Sequence, residues 1–406
     1  MSELSYLEKL LDGAEVEWLP LGVLGELVRG NGLPKTDFTE AGIPAIHYGQ
    51  IYTFYGLSTE TTKSFVSQDT AKKLKKVNTG DVVITNTSEN LDDVGKALVY
   101  LGKEQAVTGG HATIFKPREG IIGKYFAYFT QTNSFYNEKR KYSKGTKVID
   151  VSASDMAKII IPIPCPNNPE KSLAIQSEIV RILDKFTALT AELTAELTAE
   201  LNMRKKQYNH YRDQLLSFEG GSVEWKSLGE VAIITIGAFV RKDKQNPDAD
   251  YPVYNGGRTP TGYYEDFNND GDKIIVSARG ANAGFVNKSS TPYWAGNSCY
   301  SISVRSTEQL HWMYVYYYLK QSETKLTGIQ QKGGIPAVSK KQMEDLLLPI
   351  PSKSEQVRIV TILDKFDTLT SSITEGLPRE IELRQKQYEY YRDLLFSFPK
   401  HETTSN

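Results

Sequence analysis

The chain has 406 residues, of which 24% are charged and 39% hydrophobic, and its formal net charge is -1 at pH 7. This length is more than one hydrophobic core organises, so we expect two to four structural units in a globular protein. The charge balance excludes a uniformly basic surface, and no apolar run approaches the roughly 20 residues that span a bilayer.

The chain opens with a short helical segment at 1–13, which lacks the basic and apolar regions of a secretory signal. A first domain follows, and we place it at 14–164. It contains β-rich runs punctuated by Gly, Asn and Pro, such as 81–84. Its aromatic helical stretch at 125–129 is interpreted as core. The two cysteines, Cys165 and Cys299, have no metal or redox spacing, which suits a reducing cytoplasm.

A long helical segment comes next, at 165–220. Within it, the apolar residues of 176–218 recur at steps of three and four, which is the pattern of one helix face. Forty-three residues of helix extend about 65 Å, more than a single domain needs. Ordinary core packing is the alternative reading of such a stripe, but the length favours a coiled-coil spacer. Three tandem Thr-Ala-Glu-Leu units occupy 190–201.

The whole unit then repeats. A second domain at 221–351 opens with a copy of the first domain's opening and ends on a similar Pro-rich run. A second helical spacer and tail follow at 352–406, and residues 356–398 match 176–218 without a gap at 23 of 43 positions. The interiors of the two domains diverge, which indicates similar modules that recognise different things. Residues 6–11 also resemble 211–216, so the repeat is nearly circular, and a two-fold relation would lay the long helices antiparallel.

Together these features resemble the specificity subunit of type I restriction–modification enzymes, most closely the type IC subclass. The resemblance covers essentially the whole chain and is carried by the duplicated QxxIVxILDKF…RxKQYxYYRD frame with its TAEL triplet. It implies an α+β or α/β fold with two target-recognition domains on an antiparallel coiled-coil spacer. It also implies that each domain reads half of a bipartite, asymmetric double-stranded DNA site.

The resemblance further implies the partners. The helices are expected to dock two methyltransferase subunits, with restriction or motor subunits joining the complex. S-adenosylmethionine, ATP and Mg²⁺ are expected in those partners, and no cofactor or metal in this chain. The localisation implied is bacterial and cytoplasmic, on the nucleoid when DNA is bound.

Catalytic motifs fail on their own terms. The strings nearest to a methyltransferase N/D-P-P-Y/F loop, at 168–170 and 246–248, lack the second proline and the aromatic residue. No phosphate loop of the G-x-x-x-x-G-K-[ST] form is present, and the five histidines never pair at helical spacing. The alternatives left open are a self-contained methyltransferase or nuclease and a coiled-coil scaffold that binds only proteins.

DNA contacts are predicted from position and residue type. Base contacts need Arg, Asn, Gln, Ser or Thr on loops, and phosphate contacts need Lys or Arg. The loops after the equivalent strands 82–84 and 273–276, with the loop 255–259, fit base readout, although the glycines of 255–259 equally fit a plain turn. The base-reading candidates are Asn86, Thr87, Ser88, Asn90, Asn255, Arg258, Thr259, Arg279 and Asn282. The phosphate candidates are Lys139, Arg140, Lys144, Lys147, Arg241 and Lys332. His111, beside two glycines, is interpreted as a loop or core histidine.

Overall fold

The computed structural model describes residues 6–218, 223–328, 335–372 and 374–399. The chain divides into two compact units. Unit 1 comprises 1–195 with 382–406, and unit 2 comprises 196–381. Within the described residues, no helix is long and apolar enough to cross a membrane.

Unit 1 is built from short helices and fourteen strands among its described residues. Its short helices are α1 Tyr6–Leu11, α2 Leu21–Leu24, α3 Tyr48–Thr53, α4 Gln68–Lys73, α5 Gly123–Phe129, α6 Asn133–Tyr142 and α7 Ala153–Met156. Its strands are β1 Val16–Pro20, β2 Gly25–Arg29, β3 Phe38–Thr39, β4 Ile43–Ile46, β5 Ser58–Thr59, β6 Ser64–Val66, β7 Lys75–Val77, β8 Val82–Thr85, β9 Thr87–Ser88, β10 Ala97–Tyr100, β11 Ala106–Thr108, β12 Ala112–Pro117, β13 Ile149–Asp150 and β14 Ile160–Pro164. A 3₁₀ turn lies at Lys35–Asp37.

Unit 2 is smaller but follows a similar order. The long helix α8, Pro169–Leu215, joins the two units in sequence. The strands after it are β15 Glu224–Ser227, β16 Ala232–Ile236, β17 Tyr251–Tyr254, β18 Gly262–Tyr264, β19 Lys273–Ser277, β20 Val286–Ser289, β21 Trp294–Ala295, β22 Cys299–Val304 and β23 Leu347–Ile350. The helices are α9 Leu228–Val231, α10 Trp312–Gln321, α11 Glu323–Gly328, α12 Lys340–Glu344, α13 Lys353–Ser371 and α14 Leu377–Leu395, with a 3₁₀ turn at Lys242–Lys244.

The sheets of the two units share a central arrangement. In unit 1 one five-stranded sheet has the order β2-β12-β8-β10-β5 and the other β3-β6-β4-β11-β7; unit 2 has β16-β22-β19-β20 and β18-β17-β21. The strands predicted around 82–84 and 273–276 are confirmed as β8 and β19. Both are continuous apolar runs buried in the core, as a central strand covered on both faces should be.

The first and last strands of each unit's domain pair with each other. β1 lies antiparallel to β14, with Trp18 opposite Pro162, and β15 lies antiparallel to β23, with Trp225 opposite Pro349. Each pair is a separate two-stranded ribbon. Such an edge position tolerates proline, which cannot donate a ladder hydrogen bond.

An aromatic helix in each unit joins this ribbon to a long helix. In unit 1, Tyr125 donates its hydroxyl to the Pro162 carbonyl at 2.8 Å, and Tyr128 donates to Asp184 at 2.7 Å. Burial raises the pKa of both phenols, so they remain donors. These aromatic residues are core, as the sequence indicates, but their hydroxyls also fix α5 in place.

Unit 2 repeats these contacts. Tyr314 donates to the Pro349 carbonyl at 2.9 Å and Tyr317 to Asp364 at 2.6 Å. Asp184 and Asp364 are the same position of the duplicated helical frame. The joint between domain and helix is therefore built twice with the same chemistry.

A buried glutamine completes each joint. Gln176 and Gln356 are 0% exposed. The Gln176 side-chain oxygen accepts from the Ile122 N–H at 2.9 Å, while its amide donates to the Gly120 carbonyl at 2.8 Å. Gln356 does the same for the His311 N–H at 2.8 Å and the carbonyl of Gln309 at 3.1 Å. We call this set of Gln, Asp and two Tyr contacts the helix lock of each unit.

Helix α8 confirms the long helix predicted from sequence and starts earlier than the apolar stripe. The Asn168 side chain accepts from the Lys171 N–H at 3.0 Å, and Pro169 takes the first helical position, a common N-terminal combination. At the start of α13, Ser352 accepts from the Glu355 N–H at 3.3 Å, as the S-x-x-E pattern predicts.

The unbroken helix predicted at 356–398 is wrong. The chain instead forms α13 and α14, with a break at Ser372–Gly376 in which Ile373 lies outside the described residues. Gly376 has φ +83°, and a Cβ there would come 2.5 Å from the Thr368 carbonyl oxygen. Pro378 has no N–H to continue a helix through this point. These residues stand where the first copy has its TAEL units.

The long helices pack together in antiparallel order. In unit 1, Thr187 of α8 donates to the Tyr388 hydroxyl at 3.1 Å, and Phe186 packs on Tyr391. In unit 2, Tyr211 of α8 stacks on Phe366 with ring centroids 5.6 Å apart. Partner numbers thus fall as α8 numbers rise.

The nearly circular repeat is also visible in the cores. Leu7 and Leu11 of α1 are buried in the cluster that holds Ile179 and Leu183 in unit 1. Leu216, just after α8, is buried with Ile359 and Leu363 in unit 2. The chain start therefore supplies unit 1 with the helical packing that the end of α8 supplies to unit 2.

Candidate nucleic-acid interface

The residue after β8 and the residue after β19 are held by the same backbone hydrogen bonds. The Asn86 N–H donates to the His111 carbonyl at 2.9 Å, and the Val151 N–H donates to the Asn86 carbonyl at 3.0 Å. In unit 2, Ala278 takes the place of Asn86, donating to Ser298 at 2.8 Å and accepting from Val338 at 2.9 Å. The next residues, Thr87 and Arg279, are therefore equivalent positions in two frames.

In unit 1 this edge borders a cleft of about 800 Å³. It is lined by Thr87, Ser88 and Asn90 from the predicted loop, together with His47, Tyr48 and His111. Tyr48 lies between the two histidines, with ring centroids 4.6 Å from His47 and 4.8 Å from His111. The cleft thus combines an aromatic floor with short polar side chains.

Hydrogen bonds hold the cleft in shape. The Thr87 hydroxyl and His111 Nδ1 are 2.8 Å apart, and the Tyr52 hydroxyl donates to the Thr87 carbonyl at 2.7 Å. The His47 ring accepts from the Gly49 N–H at 3.2 Å and caps α3. Burial lowers the pKa of His47, and the positive charge of Lys35 acts in the same direction, so this ring is neutral at pH 7.

In unit 2 the structure brings the two predicted loops together. Arg258 donates to the side-chain oxygen of Asn282 at 3.3 Å, and Asn255 accepts from the Ser298 N–H at 3.3 Å. Gly256 has φ +77°, and a Cβ there would lie 2.8 Å from the Arg279 carbonyl. Here glycine is required both for the turn and for the close approach of the loops. The exposed side chains of Arg279 and Thr259 lie on these loops.

Two predicted contacts are corrected by burial. Asn86 is 0% exposed and accepts a hydrogen bond from Thr113 at 2.6 Å inside the sheet. Lys139 is 4% exposed, and its ammonium donates to the Asp92 and Val94 carbonyls. Burial lowers the pKa of Lys139 to about 8. Neither side chain reaches the surface, so Asn86 and Lys139 serve the fold; Lys139 fastens the segment after the predicted loop.

The remaining cationic candidates lie in different surroundings. Arg140 and Lys147 are exposed. Lys144 pairs with Asp155 at 2.8 Å, and Arg241 pairs with Asp243 at 2.8 Å. Lys332 lies outside the described residues. Asn90 uses both ends of its amide on Asp93, so it shapes its own loop.

Sequence reasoning missed His47 and Tyr48 and assigned His111 to a loop or core. None of the three follows β8 directly, and the strands that bring them to this edge are separated in sequence from 87–90 by twenty residues or more. The Gly109-Gly110 pair before His111 was the available signal, since closely approached glycines mark a constrained edge. Within the described residues, no cluster of His, Cys, Asp or Glu is placed to hold a metal ion.

Comparisons with known proteins agree with this architecture. Residues 15–203 and 222–383 match the family described as type I restriction modification DNA specificity domain. The chain is similar to the type I restriction enzyme EcoR124I/EcoR124II specificity subunit of Escherichia coli, at 40% identity over all of both chains. It is also similar to the EcoprrI specificity subunit of Escherichia coli, at 37% identity over 92% of this chain and 93% of that one.

Two solved structures have a similar fold. One comes from work on complex assembly and conformational transition of the type I R-M system, with TM-score 0.64, 18% identity, and coverage of 94% of this chain and 97% of that one. The other is the HsdS subunit from Thermoanaerobacter tengcongensis, with TM-score 0.52, 16% identity, and coverage of 94% and 96%.

Proposed function

This chain belongs to the family of type I restriction–modification DNA specificity subunits, and on that premise we propose that each of its two units reads one half of a bipartite, asymmetric DNA site. The chain provides DNA specificity to a type I restriction–modification complex. Catalysis belongs to partner subunits, and this subunit carries no cofactor. S-adenosylmethionine, ATP and Mg²⁺ act in those partners.

One observation carries the proposal: two frames held by the same hydrogen bonds present different side chains at the same position. Arg279 in unit 2 is exposed and able to contact a guanine with two hydrogen bonds. Thr87 in unit 1 stands beside an aromatic cleft. Two such frames with unlike reading edges suit two unlike half-sites. Arg140 and Lys147 are the exposed cations we assign to phosphate contacts in unit 1.

The helices are the proposed ruler between the half-sites. Leu193, Leu197 and Leu201, the last residues of the three TAEL units, are all half-buried. Because the three leucines have the same environment class, one unit can be removed while the apolar stripe remains. The break at Ser372–Gly376 occupies the equivalent place in the second copy, where it can absorb the change.

The helices also carry the proposed docking surface for two methyltransferase subunits. Met203 and Tyr211 are 46% and 44% exposed in unit 2, and their repeat equivalents Leu383 and Tyr391 are 42% and 39% exposed in unit 1. Residues eight apart lie on one helix face. Two copies of one apolar face fit two copies of one partner.

The function is tested by mapping methylated bases in DNA from cells that contain this chain with and without its methyltransferase subunit. We expect methylation of a bipartite site only when both are present. Methyl transfer by the purified chain alone, or methylation of one continuous site, would contradict the proposal.

The docking surface is tested by native mass spectrometry of the assembled complex. Met203→Glu and Leu383→Glu should each remove one methyltransferase copy, and the double variant should remove both. Ala191→Glu, at an exposed α8 position in the TAEL run, is the control and should retain two copies. Two copies bound to the double variant would exclude this face.

A further inference from the structure

We infer that the cleft of unit 1 is a specificity-determining site that accepts base edges of one half-site, with His111 and Tyr48 as the residues that determine which bases fit. This inference rests on the proposed function and assigns its unit 1 reading surface. The cleft volume of about 800 Å³ admits the edges of bases from a DNA groove.

The cleft occupies the same frame position as the loops of unit 2. The pairing of β4 with β11 places Ile46 beside Thr108, and that of β17 with β21 places Tyr254 beside Ala295. One residue further along each first strand stand His47 in unit 1 and Asn255 in unit 2. By the hydrogen bonds described above, His111 likewise corresponds to Ser298. Where unit 2 places amide and guanidinium groups, unit 1 places rings.

The charges of the cleft disfavour a phosphate ligand. Its charged lining residues are Lys35, Glu89 and Asp93, which leave an excess of negative charge. Lys96 pairs with Asp93 at 2.6 Å, so that carboxylate is engaged. His47 is neutral at pH 7, since burial and Lys35 lower its pKa. Phosphate contacts are made mainly by cationic and N–H donors, and an acidic cleft repels them.

The same groups suit base edges. Aromatic and other apolar side chains contact the thymine methyl group, and polar side chains form hydrogen bonds with acceptors and donors on the base edges of the major groove. His111 is exposed and holds Nδ1 against the Thr87 hydroxyl at 2.8 Å, which leaves Nε2 as its polar atom for a ligand. Tyr48 packs between the two histidine rings. The recognition groups are therefore held in place before DNA arrives.

The test compares His111→Ala with the wild-type chain, each assembled with its methyltransferase subunit, on a library of DNA sites randomised at the recognised positions. Because His111 is exposed, its truncation leaves the core intact. Ser298→Ala, at the equivalent position of unit 2, is the matched control. Tyr48→Phe, which keeps the ring, serves as a second variant of the cleft.

We expect His111→Ala to lower discrimination by about tenfold or more at one or more positions of a single half-site. That half-site must differ from the one altered by Arg279→Ala. Ser298→Ala should leave the His111 half-site unchanged, and Tyr48→Phe should keep the wild-type base preferences within about threefold. This result would support base readout by the ring system.

Unchanged discrimination in His111→Ala, on a wild-type chain that does read a bipartite site, would overturn the inference and leave the proposed function standing. An equal loss of affinity for all sequences would also overturn it, because phosphate contact or altered folding gives that pattern. A wild-type chain with no bipartite preference would refute the proposed function and this inference with it.

Discussion

Units 1 and 2 differ most at their reading edges and least at their helix locks. The locks share a buried glutamine, an aspartate and two tyrosine hydroxyls at matched distances of 2.6–2.9 Å for the tyrosine bonds. The edges hold Thr87 with an aromatic cleft in one unit and Arg279 with a glycine turn in the other. Buried polar groups are costly to leave unpaired, so the lock tolerates little change. Exposed loop residues have no such cost, and recognition can vary there.

Replacing one whole domain should break the comparison most completely. A graft of another 14–164 segment, from a related subunit that retains tyrosines at the positions of Tyr125 and Tyr128, should fold onto α8. We expect it to replace one half-site entirely and leave the other half-site unchanged, as mapped by methylome sequencing. If a folded graft changed both half-sites, the units would not read independently.

The locks should respond equally to the same substitution. Gln176→Leu and Gln356→Leu each leave a buried N–H and a carbonyl without their partner, so we expect a loss of about 2–4 kcal/mol in the stability of the affected unit. Hydrogen exchange at α5 and α10 measures each unit separately, and exposed Asn202→Leu should stay within about 0.5 kcal/mol of wild type. A loss in only one unit would show that the locks are not equivalent.

The edges, in contrast, should respond separately. Arg279→Ala should cost about 1–3 kcal/mol in discrimination at one half-site if its guanidinium contacts a base edge. Thr87→Ala, its counterpart in unit 1, should affect only the other half-site. Competition binding with single-base variants measures both, and an Arg279 variant with unaltered discrimination everywhere would remove it from the reading surface.

Phosphate contacts should act on all sequences alike. Arg140→Ala is expected to weaken binding uniformly and to reduce the slope of log affinity against log salt by about 0.9, the value for one phosphate contact. Lys139→Ala should instead destabilise the segment after the unit 1 loop, because Lys139 is buried on two carbonyls. A salt slope unchanged by Arg140→Ala would exclude the contact.

The smallest expected change is a shift in spacing without a change in bases. Deleting 198–201 shortens α8 by about 6 Å and rotates the following residues by about 40°. One base pair of B-DNA rises about 3.4 Å and rotates about 35°, so the non-specific spacer should shorten by about one base pair. Methylome mapping of the deletion decides this, and an unchanged spacer would show that α8 is not the ruler.

The sequence by itself determined the elements whose signal is periodic or repeated. The apolar steps of 176–218 were sufficient for α8, and the apolar runs at 82–84 and 273–276 were sufficient for β8 and β19, because side-chain period follows directly from local geometry. The break after α13 was written in Gly376 and Pro378, but similarity to the first copy outweighed it in the prediction of one continuous helix.

Tertiary structure alone decided which polar side chains are available. Asn86 and Lys139 have residue types suited to DNA contacts, yet both are buried, since burial depends on strands and helices distant in sequence. His47, Tyr48 and His111 belong to separate segments that become a cleft only when β4, β11 and β12 pair in their sheets. A local pattern carries no information about such long-range pairing, so the sequence located the reading edge of unit 2 better than that of unit 1.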